Sequence, residues 1–108
     1  MERFGIDEVL RLQRELQDKY KGKWEPICPD IAQNKLLWLL GEAGEVIDIL
    51  KQNGGEAACG DPDIRAHLVE ELADMLMYYG DILLCCGIDA EELADAYRKK
   101  QERNLTRW

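Results

Sequence analysis

The sequence predicts an all-α fold, an antiparallel four-helix bundle, on three observations. Four stretches carry apolar residues at helical spacing, short or medium connections with helix start and stop signals separate them, and charges of alternating sign populate the remaining faces. The 108 residues suit one domain, short enough that burying apolar surface against another copy would help it.

The first helix is predicted over Ile6 to Tyr20, with Val9, Leu12 and Leu16 on one side and Asp7 near its start, ending before Lys21-Gly22-Lys23. Pro26 and Pro29 then disfavour continuous helix. The Trp24 to Asp30 segment is expected to form an ordered wall, with Asp30 capping the next helix. That second helix, Ile31 to Gln52, has an apolar stripe of Leu36, Leu40, Ala43, Ile47 and Leu50, expected to be core. Beside it runs a stripe of Lys35, Trp38, Glu42 and Glu45. Asn53-Gly54-Gly55 ends the helix, and the stretch through Gly60 is expected to be a flexible connection.

Asp61-Pro62 supplies a cap and a first-turn proline for a third helix reaching Cys86. Its expected core stripe is Ile64, Leu68, Leu72, Met75 or Leu76, Tyr79 and Leu83, and a second stripe carries His67, Glu71, Asp74, Tyr78 and Asp81. Gly87-Ile88 turns the chain, and Asp89 to Glu92 matches a capping box before a last helix with Leu93, Ala96 and Tyr97. Its final turns, Lys99 to Trp108, are basic and aromatic.

With 14 Lys and Arg against 22 Asp and Glu, the formal charge of -8 opposes binding to duplex nucleic acid. It does not oppose a small phosphorylated ligand, because metal ions can bridge two negative partners. There is no apolar run long enough to span a bilayer and no signal-peptide pattern at Met1-Glu2-Arg3-Phe4-Gly5, so a cytoplasmic location away from membranes is the expectation. Cys28, Cys59, Cys85 and Cys86 fit neither a paired zinc site nor a disulfide framework.

The chemistry lies in two acidic couplets, Glu42-x-x-Glu45 and Glu71-x-x-Asp74, each set in a hydrophobic helical run. Ionised side chains at the edge of a core need a compensating cation, because desolvating them alone is costly. Residues three apart lie on nearly one helix face, so facing helices would bring four carboxylates together as hard oxygen ligands for magnesium.

Leu39-Leu40-Gly41-Glu42-Ala43-Gly44-Glu45-Val46 and Glu71-Leu72-Ala73-Asp74-Met75-Leu76-Met77-Tyr78, with 25 residues between Glu45 and Glu71, resemble the MazG-like all-α nucleoside triphosphate pyrophosphohydrolases. The ending Lys100-Gln101-Glu102-Arg103-Asn104-Leu105-Thr106-Arg107-Trp108 is similar to that group's K-x-x-x-N-x-x-R-aromatic terminus. The resemblance implies the all-α NTP pyrophosphatase fold in a homodimer or homotetramer. It also implies magnesium-dependent cleavage of a (deoxy)nucleoside triphosphate between its α and β phosphates, with manganese as a substitute ion and nucleotide-pool cleansing as one cellular role. By the same resemblance Glu42, Glu45, Glu71 and Asp74 are the metal-binding acids, and one of Glu42, Glu45 or Glu71 orients or deprotonates the attacking water. A glutamate that many members carry before the first couplet is replaced here by Gly41.

Lys35, Lys100 and Arg107 are either phosphate contacts, with Asn104 as a positioning donor, or solvated surface charges. Trp38 either stacks on a base or packs, Tyr78 either donates to phosphate or ribose or packs, and Trp24 and Trp108 either close the pocket or serve as anchors. Asp81 is either an outer contact of the metal site or a salt-bridge partner, and His67 either faces solvent or meets substrate. Two other readings compete: a non-catalytic helical protein-interaction module, and an iron carboxylate bundle, disfavoured by the lack of Glu-x-x-His pairs.

Overall fold

Two helices that carry the acidic couplets form the body of the molecule. The computed structural model describes residues 3–107, all-helical apart from turns and one isolated bridge between Lys21 and Trp24. Among these residues the helices are α1 (Ile6–Lys19), α2 (Ala32–Asn53), α3 (Gly55–Gly60), α4 (Pro62–Cys86) and α5 (Ala90–Arg107), with a single 3-10 turn at Pro29–Ile31. None is long and apolar enough to cross a membrane.

Local chemistry explains most boundaries. Asp61 Oδ1 accepts from the Asp63 and Ile64 amides at 3.0 and 3.2 Å, capping α4 just before Pro62. At the other end Gly87 adopts φ +67°, its N–H bonds Leu84 O, and Ile88 N–H reaches back to Leu83 O at 2.9 Å. That pair of bonds satisfies carbonyls the helix would otherwise strand. Asp89 Oδ1 accepts from Glu92 N at 2.8 Å and starts α5 as expected.

Two expectations about connections are corrected. Asp30 does not cap α2, which has no side-chain cap; Ile31 N–H instead bonds Cys28 O at 3.0 Å and the chain enters through the 3-10 turn. The stretch after α2 is not a flexible link. Gly54, at φ +83°, redirects the chain, and Gly55–Gly60 forms the short helix α3, whose Ala58 is fully buried against Val46, Ile49 and Leu68. Glycines at both ends hid the good helix formers Glu56, Ala57 and Ala58 between them.

The core differs from the expected stripes as well. α2 packs chiefly on α4, but the buried residues of α2 are Lys35, Val46 and Ile49. The stripe of Leu36, Leu40, Ile47 and Leu50 faces outward instead, with Leu40 57% and Ile47 60% exposed. On α4, Leu68 and Leu83 are buried as expected while Leu72 and Tyr79 are exposed. On α1 Val9 is buried, but Leu12 is exposed and Gln13 and Gln17 take the interior positions. The acidic stripe, not the apolar one, turns toward the neighbouring helix. The Cα radius of gyration is 16.2 Å, against about 13 Å for a compact chain of this length, so the single chain is open.

α1 crosses α4 at Gly80. A Cβ built there would lie 2.9 Å from Val9 Cγ1 and 3.1 Å from Gln13 Cγ, and beside this crossing Gln13 Nε2 donates to Asp81 Oδ1 at 2.9 Å. Both neighbours are buried and cannot swing into solvent. Gly80→Ala should therefore cost about 1–3 kcal/mol of stability through overpacking, read as a lowered Tm with helical circular dichroism retained.

Candidate functional site

Three of the four carboxylates that the sequence spaces in couplets meet across the α2–α4 contact, and Asp74, expected to join them, does not. One carboxylate oxygen each from Glu42, Glu45 and Glu71 lies within 4.8 Å of the others. Glu71 is buried, Glu42 half-buried and Glu45 exposed, so the group opens to solvent on one side. Glu42 Oε2 and Glu71 Oε2 are both shielded and have no hydrogen-bond donor. Two shielded acceptors without donors, beside a third carboxylate, suit a hard divalent cation, whose positive charge and oxygen preference answer both deficits.

Crowding of like charges shows in the acidities. Glu71 is raised from the ordinary carboxylate range, first by its carboxyl contact with Glu42, then by burial and by the charges of Glu42 and Asp74, against a lowering by its contact with Glu45. Glu45 is raised by its hydrogen bond to Glu71 and by that residue's charge. His67 is exposed, as one reading had it, with Nε2 3.4 Å from Glu71 Oε1.

A cavity of about 540 Å³ adjoins the acids, within the range that holds small molecules. Glu42 and Asp74 line it, so Asp74 borders the same space as Glu42 although it stands outside the three-oxygen group. Lys35, Trp38, Tyr78, Asp81 and Trp24 complete much of the wall. Trp38 and Tyr78 stack with ring centroids 6.4 Å apart at 14°. Burial, with the charges of Glu42, Asp74 and Asp81, raises the Tyr78 phenol, keeping it a hydroxyl donor at neutral pH. Trp24 is held by stacking on Tyr20 at 4.5 Å, and its loop is tied to α2 where Asn34 Nδ2 donates to Glu25 Oε2 at 2.9 Å.

Lys35 is no solvated surface charge: its side chain is 8% exposed and its ammonium lies 3.8 Å from Asp81 Oδ2, itself 4% exposed. Asp81 thus takes the salt-bridge role. Removing one member of such a buried pair typically costs about 3–5 kcal/mol, because the other is left uncompensated. Gln13 closes the network from α1.

Lys100, Asn104 and Arg107 do not line this cavity; α5 packs on α1, with Lys100 and Arg107 exposed and Asn104 half-buried. Trp108 lies outside the described residues. Cys85 is buried, its thiol raised chiefly by desolvation. Sequence reasoning missed Gln13 and Gln17, which line the cavity beside Leu16. The available signal was two glutamines four apart, Gln13 itself following Val9 by four on the inward face of α1.

A family model, the MazG nucleotide pyrophosphohydrolase domain, matches residues 32–108. The chain belongs to this family. The matched MazG segment contains α2 and α4 with all four carboxylates, while α1 and the Trp24 loop precede it. Searches of the curated proteins and of the solved structures returned no significant match.

The raised carboxyls have a consequence for stability. A carboxyl whose acidity is weakened by folding makes the folded state bind more protons than the unfolded one above the ordinary carboxylate range, so its contribution falls as pH rises through the folded value. In chelator, Glu71→Gln should raise the Tm at pH 8 and change it less at pH 5. A divalent cation should stabilise the unsubstituted protein more at pH 8 than at pH 5, read by thermal unfolding in both buffers.

Proposed function

We propose that this protein hydrolyses a (deoxy)nucleoside triphosphate to the monophosphate and pyrophosphate in a magnesium-dependent reaction at the α2–α4 cavity. The observation that carries this is the convergence of Glu42, Glu45 and Glu71 within 4.8 Å beside an aromatic-walled cavity, in a chain of the MazG nucleotide pyrophosphohydrolase domain family. Glu42, Glu45, Glu71 and Asp74 would hold magnesium, or manganese in its place. Bound there, the ion supplies charge neutralisation to the triphosphate and acidifies water.

The chain's own groups divide the remaining work. One of Glu42, Glu45 and Glu71 takes a proton from the attacking water, whose oxygen bonds the α-phosphorus as the bond to the bridging oxygen breaks and pyrophosphate leaves. Lys35 keeps ammonium donors beyond its Asp81 contact for a phosphate oxygen, and the Tyr78 hydroxyl is a neutral donor on the same wall. Trp38 presents an aromatic face to the base.

A homodimer, or a tetramer built from it, is part of the same proposal. The outward stripe of Leu36, Leu40, Ile47 and Leu50 has coiled-coil spacing and is exposed in the single chain, which favours a second copy as its cover. Such packing offers a route by which Lys100, Asn104 and Arg107 reach a neighbouring copy's cavity.

Pyrophosphate release from a panel of nucleoside triphosphates should require a divalent cation. Glu42→Ala, Glu71→Ala and Asp74→Ala should each reduce kcat about 100-fold or more with helicity unchanged, and full activity in all three would refute the assignment. In light scattering, Ile47→Glu should shift the assembly toward monomer.

A further inference from the structure

The residue on the cavity wall that nothing so far employs is Gln17. It is 6% exposed, it lines the cavity with Leu16 and Trp24, and its shielded Nε2 has no hydrogen-bond partner. A buried amide nitrogen without an acceptor carries an uncompensated desolvation cost that a ligand can remove. Its neighbour one turn earlier is in the opposite situation. Gln13 spends its amide on Asp81, which pins α1 against α4 beside the close crossing at Gly80. Gln17 is therefore held on a fixed helix with its hydrogen-bonding capacity unspent.

The charge layout indicates which part of a nucleotide it meets. Of the cavity's acids, Glu42 comes from α2, Asp74 and Asp81 from α4 and Glu25 from the loop after α1, where Lys23 also lines the wall, whereas α1 itself contributes only the neutral Gln13, Leu16 and Gln17. A triphosphate needs cations and positive side chains, and α1 offers neither to the cavity. A nucleobase needs apolar or aromatic contact together with one or two edge hydrogen bonds, and Gln17 beside Leu16, Trp24 and Met77 supplies that combination. A carboxamide places one donor and one acceptor side by side, the complement of a Watson–Crick edge that does the same.

We propose that Gln17 is the specificity-determining residue of this site, pairing through its carboxamide with the Watson–Crick edge of the base. This rests on the nucleotide-hydrolase reading above and adds to it that base selection is made by α1, on the segment preceding the family match.

The test compares the unsubstituted protein with Gln17→Leu and Gln17→Glu on the eight standard ribo- and deoxyribonucleoside triphosphates and on base-free 2-deoxyribose 5-triphosphate. In parallel, tryptophan fluorescence measures binding of nucleoside monophosphates and ribose 5-phosphate. Gln17→Leu should lower kcat/KM for the preferred nucleotide about 5- to 150-fold, mainly through KM, and leave the base-free triphosphate unchanged. Gln17→Glu, with acceptors only, should move preference toward guanine, whose edge sets two donors together. Unchanged base ranking in both variants, or an equal loss on the base-free triphosphate, would overturn the assignment. Base-selective monophosphate binding that Gln17→Leu abolishes, in a protein without turnover, would uphold Gln17 while refuting the hydrolase reading.

Discussion

Three carboxylates forced together at the contact of two helices set the terms for the rest of this structure. Glu42 and Glu71 each present a shielded oxygen with no donor, and Glu45 closes the group. Such an arrangement is unfavourable unless protons or a cation share the site. The raised carboxyls of Glu45 and Glu71 lean toward holding a proton, and a hard cation answers the same crowding. Because α2 and α4 spend their facing surfaces on polar groups around Lys35, Glu42, Glu71 and Asp81, the apolar core retreats to Val46, Ile49, Ala58 and Leu68.

Polar burial continues along the cavity wall. Lys35, Asp81 and Gln13 form a shielded network across α2, α4 and α1, and each member satisfies another. A network of this kind gives less stability than an apolar core of equal volume but fixes orientation, since only one arrangement pairs every group. It keeps the Lys35 ammonium beside the cavity and keeps α1 in register with α4. The small satellite cores and the large radius of gyration are the counterpart of placing so much polarity inside a short chain.

How far the sequence revealed this depends on the kind of signal. Helix limits followed from strong local chemistry, as at Asp61-Pro62 and Gly87, and the structure reproduces them within a residue or two. The carboxylates were legible because their spacing is fixed by helix geometry and is the same in any packing. Which stripe faced inward was not legible. Leu36, Leu40, Ile47 and Leu50 look like core by composition, yet Lys35 and Glu71 are more buried. Periodicity identifies an apolar face but not whether its cover is the same chain. Gln17 escaped notice because a glutamine on an amphipathic helix carries no mark of burial, and only the packing of α1 places it inside.

The crossing at Gly80 separates two parts of the molecule. The acidic cluster belongs to α2 and α4, whereas α1 packs against α4 through Val9, Gln13 and the close approach at Gly80. Substitutions on the cavity side of α1 can therefore alter the shape and polarity of the chamber without moving the acidic residues. That division separates the wall of the chamber from its ionic cluster, so the one can change in sequence while the other stays constant.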